Sequence, residues 1–105
     1  MAGMAKQHFY MRLLPPRTTF PADITPEEMA LMQQHATYFL KAFDEGRVLL
    51  YGPVMGHGGA FGMGVLEVES EAEAREFAEN DPSVRGGLNR FELAPMRVAA
   101  ARGPG

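Results

Sequence analysis

The sequence has no cysteine. Disulfides, thiolate nucleophiles and cysteine-based zinc or iron–sulfur centres are thereby excluded. It also has no cluster of lysine and arginine. The 10 basic and 13 acidic residues are interspersed, and the formal net charge is −3. Such a chain offers nothing to neutralise a run of phosphates, so nucleic acid is not an expected partner. No apolar run approaches the length of a membrane span, and no membrane association is expected. Met1–Ala5 has neither the basic nor the apolar region of a signal peptide, and a cytoplasmic location is expected. The histidines His8, His35 and His57 do not share metal-ligand spacing, so no metal centre is expected. The spacings G-x-G-x-x-G, Gly-Lys-Ser/Thr and G-x-S-x-G are all missing. A dinucleotide loop, a phosphate loop and an esterase elbow are therefore not expected, and neither is a cofactor.

What remains is a chain of 105 residues, 46% apolar, which suits one domain with one core. The expected core runs over residues 7–98, with loose tails at 1–5 and 99–105. Gln7–Leu14 alternates as a strand, with Phe9, Met11 and Leu13 on one face and His8, Tyr10 and Arg12 on the other. Pro15-Pro16 ends it. Thr25, Pro26 and Glu28 then form a capping-box start to a helix that Gly46 stops. Met29, Met32, Ala36, Phe39, Leu40 and Phe43 fall within an arc of about 100° and predict its buried face. Arg47–Val54 and Ala60–Val68 read as strands joined by a long glycine-rich connection over Gly56–Gly59. Ser70 with Glu73 predicts a second capping box, and Ala74, Phe77 and Ala78 a short apolar face. Arg90–Val98 reads as a last strand, weakened by Pro95.

The order βαββαβ predicts an α+β, ferredoxin-like domain: a four-stranded antiparallel sheet with two helices on one face. Two helices cover only one face. Yet strands two and three are apolar on both, with Val48 and Leu50 set against Leu49 and Tyr51, and Phe61, Met63 and Val65 against Leu66 and Val68. A homodimer through the uncovered sheet faces, a dimeric α+β barrel-like association, is the expected assembly.

Several residues carry chemistry. His35 lies beside the apolar stripe, on a flank with Leu31, Tyr38 and Ala42. It is either a packed, hydrogen-bonded imidazole or an acid–base group. Asp81 before Pro82 is an N-cap for a short helical turn, a carboxylate that orients His35, or both, since a carboxylate has two oxygens. His57, in the glycine-rich connection, either sits in a flexible turn or dips into a pocket. Tyr51 is either a core aromatic or a pocket group.

Four stretches carry a resemblance. They are His35 with Tyr38-Phe39-Leu40; Glu45-Gly46-Arg47-Val48-Leu49-Leu50-Tyr51-Gly52-Pro53; Gly64-Val65-Leu66-Glu67-Val68-Glu69-Ser70-Glu71-Ala72-Glu73-Ala74; and Asp81-Pro82-Ser83-Val84-Arg85-Gly86-Gly87-Leu88. In order and spacing they resemble the YCII-related (YciI-like) family, from about His35 to Val98. The resemblance implies a ferredoxin-like dimer with a pocket and a His/Asp pair, here His35 and Asp81, as its catalytic groups. It implies cofactor-independent proton transfer on a small enolic, lactone or hydroxylated aromatic molecule. Tyr51, Gly52, Pro53, His57 and Ser83 are the expected binding residues. A non-catalytic small-molecule-binding or structural dimer is the alternative. The chain departs from the family pattern at Ser83, where an aromatic is usual, and in its long Pro15–Pro21 loop.

Overall fold

The computed structural model describes residues 6–103. Of the expected tails at 1–5 and 99–105, residues 1–5 and 104–105 lie outside the described residues, and 97–103 form no helix or strand. The chain runs β1 (Gln7–Leu14), α1 (Pro26–Asp44), β2 (Val48–Gly56), β3 (Gly59–Val68), α2 (Glu71–Glu79), α3 (Pro82–Arg85) and β4 (Arg90–Met96). The strands form one antiparallel sheet in the order β2-β3-β1-β4. This is the ferredoxin-like arrangement, with α3 as a short addition. β4 stops at Met96 rather than Val98, and its Pro95 is tolerated because β4 is an edge strand, paired only to β1.

Helix starts agree with the sequence in most respects. Thr25 Oγ1 accepts from the Glu28 amide at 3.2 Å, and the Glu28 carboxylate accepts from the Thr25 amide at 2.9 Å. At α2 only half of the expected box forms. Ser70 accepts from the Glu73 amide, but the Glu73 carboxylate accepts from the Glu69 amide, one residue earlier. Asp81 caps α3 as expected, its side chain accepting from the Ser83 amide. Gly46, at φ +83°, takes the left-handed turn that ends α1.

The core lies between the sheet and the helices. Phe9, Met11 and Leu13 of β1, Val48 of β2 and Leu66 and Val68 of β3 meet Phe39 and Ala42 of α1 and Ala74, Phe77 and Ala78 of α2. Two expectations are corrected here. The face that α1 buries is Leu31, His35, Tyr38, Phe39 and Ala42, rotated by about 100° from the predicted stripe. Met29, Leu40 and Phe43 are exposed. The physical reason is a cavity: the middle of the stripe, at Met32 and Ala36, faces open space rather than packed side chains.

The second correction concerns β2. A register shift lies between Val48 and Leu50, so strict alternation fails there. Val48 pairs with Leu66 on the helix side, Leu50 with Val65 on the open side, and Tyr51 with Gly64 on the helix side again. The extra residue therefore brings Val48 and Tyr51 to one face. The β2–β3 connection is also shorter than expected. Gly56 pairs with Gly59, leaving only His57 and Gly58 in the turn.

Candidate active site

The site begins with the α1 arc that packs inward. His35 sits on that arc, one turn before Phe39, and the two rings pack tilted at 46° with centroids 4.8 Å apart. Across from it, α2 ends at Asn80 and the chain turns through Asp81 into α3. His35 Nδ1 stands 2.7 Å from Asp81 Oδ2. The other carboxylate oxygen, Oδ1, accepts from the Ser83 amide at 2.8 Å and from the Ser83 hydroxyl at 2.9 Å. Asp81 is wholly buried, and these bonds compensate its desolvation. With Asp81 ionised, the pair holds the imidazole with its proton on Nδ1 and leaves Nε2 as the acceptor.

His35 opens onto a cavity of about 360 Å³ between the sheet, α1 and the loop after β1. Met32, His35, Ala36 and Phe39 line it from α1; Tyr51, Gly52, Pro53 and Met55 from β2; Met11 and Leu13 from β1. Gly62 and Gly64 of β3 stand opposite Leu13 and Met11 in the sheet register. A Cβ on Gly64 would lie 3.3 Å from the Phe39 ring and 3.5 Å from the Tyr51 Cβ. The bare backbone of these two glycines keeps the space open.

Pro15, Phe20, Pro21 and Ile24 close the loop side. Arg17 fixes this loop. Its guanidinium forks onto both oxygens of Glu28 at 2.8 Å and its Nε reaches Asp23 at 3.0 Å. Hydrogen bonding to Arg17, and then to the Thr25 amide, pulls the Glu28 carboxyl down to about 2. Asp23 is lowered by Arg17 and by Thr19, while both carboxylates raise Arg17, Glu28 first. Nearby, Tyr38 donates its hydroxyl to the Phe77 carbonyl at 2.8 Å and stacks on Phe77. Burial raises the Tyr38 phenol.

The sequence-predicted residues divide cleanly. His35 and Asp81 are brought together, and Tyr51, Gly52 and Pro53 line the cavity. His57 does not line it; the short turn leaves it exposed at the hairpin tip. Ser83 does not line it either. It is buried behind Asp81 and positions that carboxylate. Sequence reasoning misses Asn89, which lines the cavity while only 5% exposed. It also misses the Gly62/Gly64 floor. The alternating glycines of Phe61-Gly62-Met63-Gly64-Val65 are a readable signal, since period two puts both on one strand face. No comparable signal marks Asn89. Among the described residues, no group of three His, Cys, Asp or Glu side chains is placed to hold a metal ion.

The model of the YCII-related domain matches residues 9–97. The chain belongs to the YCII-related family. No curated protein matches it in sequence. Among solved structures, this YCII-related fold is similar to 5-chloro-2-hydroxyhydroquinone dehydrochlorinase from Burkholderia phenoliruptrix AC1100, a complex with 2,5-dihydroxybenzoquinone. The TM-score is 0.57 at 18% identity, covering 85% of this chain and 93% of that one. It is also similar to PA3566 from Pseudomonas aeruginosa, at TM-score 0.51 and 12% identity over 92% of this chain and 98% of that one. Likeness at these identities shows the fold. No helix of this YCII-related chain is long and apolar enough to cross a membrane, among the described residues.

Proposed function

We propose that this YCII-related protein is a cofactor-independent enzyme that moves a proton on a small enolic, lactone or hydroxylated aromatic molecule held in the cavity. The observation that carries this reading is the 2.7 Å contact between His35 Nδ1 and a buried Asp81, with His35 lining the cavity. A carboxylate on Nδ1 orients the ring and stabilises the imidazolium that forms when Nε2 takes a proton. In an isomerisation the imidazolium returns that proton elsewhere on the same molecule. In an elimination the leaving group departs with the bonding pair and the imidazolium later gives its proton to water. The chlorinated hydroquinone substrate and quinone ligand named for the structural neighbour fit this class in size and chemistry.

The test is turnover of a panel of small enols, lactones and hydroxyquinones by the wild-type protein and by His35→Gln. Turnover that His35→Gln abolishes supports the proposal. Turnover that survives in His35→Gln removes His35 from the mechanism. A second reading is non-catalytic binding, favoured by a lining that is apolar apart from His35, Tyr51 and Asn89. Saturable binding without turnover of any panel member selects it.

We propose further that two copies pair through the sheet face away from the helices. Leu50 and Met96 are exposed there, and among the described residues nothing accepts from the buried Nε of Arg12. Light scattering at micromolar concentration tests this. A dimer is expected, and a monomer contradicts it.

A further inference from the structure

We infer that Asn89 is the second polar anchor of the cavity and sets its preference for a neutral ring bearing a hydroxyl or carbonyl group. This rests on the cavity being a ligand site, as proposed above. Asn89 is buried to 5% exposure, yet among the described residues its amide makes one side-chain hydrogen bond, 3.4 Å from Nδ2 to the Met32 sulfur. A thioether is a weak acceptor. An asparagine buried for structural reasons alone normally satisfies its amide with stronger partners. The structural work at this position is done by the backbone instead. The Asn89 and Leu88 amides both donate to the Ser83 carbonyl at 3.0 Å, which closes the turn after α3. The side chain is therefore held in place with an oxygen and an N–H to spare.

Its placement is coupled to the dyad. Ser83 holds Asp81 through its amide and hydroxyl and holds Asn89 through its carbonyl. One short loop thus fixes both the carboxylate behind His35 and an amide in the same cavity lining. Among the described residues, the lining contains no lysine, arginine, aspartate or glutamate. A carboxylate or phosphate on the ligand would find no fixed cation there. A hydroxyl, which both donates and accepts, matches an amide that does the same. The ring itself is taken by the apolar walls.

The experiment uses two rings of the same shape, hydroquinone and p-xylene, and measures both affinities by chemical-shift titration for wild type, Asn89→Leu and Asn89→Ala. Thermal melting of each variant checks the fold, and Asn89→Ala gives the same ratio should leucine overfill the site. The expected result is a fall of about tenfold in the hydroquinone-to-p-xylene affinity ratio in both variants, the loss of one satisfied hydrogen bond. A shift in this ratio reports on recognition, which a merely structural role would leave unmoved. Binding of hydroquinone with an unchanged ratio in folded variants overturns the role of Asn89 and leaves the proposed function standing. Failure of the wild type to bind either ring overturns both.

Discussion

Asp81 Oδ2 accepts from His35 Nδ1 across 2.7 Å, although 46 residues separate the two in the chain, and Ser83 occupies the other carboxylate oxygen. Both carboxylate oxygens are thus engaged, which favours one orientation of the carboxylate and of the imidazole it bonds. Asp81→Asn keeps an acceptor for Ser83 but can present an N–H to Nδ1, which reverses the tautomer. Turnover is expected to fall by about 10²–10⁴-fold. Stability measured by urea unfolding is expected to fall by about 1–3 kcal/mol, the cost of mismatching one buried polar group. Full activity in this variant would show that the carboxylate does not orient the base.

Replacing His35 has two consequences. His35 lies on the buried arc of α1, against Phe39, with its side chain only 18% exposed. The sequence alone places it off the main apolar stripe, where a purely catalytic His35 could become alanine without harm to the fold. In the structure His35→Ala strips Asp81 of a partner, at an expected cost of about 1–3 kcal/mol. His35→Gln keeps a donor within the chain and is expected to melt closer to wild type while losing turnover equally. Thermal melts of both variants beside their rates separate the two effects.

The cavity depends on the absence of a side chain at Gly64. A Cβ at this position would already stand 3.3 Å from the Phe39 ring. Gly64→Val would press its further carbons against that ring and into the ligand space. Loss of hydroquinone binding is expected, with a stability cost of about 1–3 kcal/mol from overpacking. Isothermal titration together with a melting curve measures both. Retained affinity would mean that the ligand lies elsewhere.

Acid should loosen the loop that closes the cavity. The Glu28 carboxyl is lowered from 4.5 to about 2 in the folded protein by Arg17 and the Thr25 amide. A lowered carboxyl contributes stability that is fully present above the unfolded value and is lost as pH falls through the folded one. Melting temperature should therefore decline between pH 4.5 and about 2. Arg17→Gln should flatten that decline, because Glu28 then loses its main partner. Equal slopes in the two proteins would show that Arg17 does not hold the loop.

Local chemistry is the legible part of the sequence. Thr25 with Glu28, Asp81 with Pro82 and the alternation of β1 each act within a few residues, and each appears as read. The His35–Asp81 pair is reached through resemblance to a family motif, since periodicity leaves both residues open to a purely structural role. Two other readings fail for identifiable reasons. The extra residue between Val48 and Leu50 inverts the strand alternation, and nothing in Val48-Leu49-Leu50 distinguishes a bulge from a regular strand. The apolar stripe of α1 counts residues that line a cavity and residues that meet solvent together with those that pack. Met29, Leu40 and Phe43 thus outvote Leu31, Tyr38 and Ala42. Asn89 carries no signal in the sequence, because its burial without a strong side-chain partner arises only from the folded packing around it.

If Asp81 fixes the tautomer of His35, the ring carries its proton on Nδ1 and offers Nε2 to a molecule in the cavity. Long-range proton–nitrogen NMR of the His35 ring, recorded with and without hydroquinone, reads both nitrogens. The expected result is an Nδ1 that keeps its proton throughout and an Nε2 resonance that moves on titration with hydroquinone. A ring protonated on Nε2, or an Nε2 resonance unmoved at saturating hydroquinone, would contradict it.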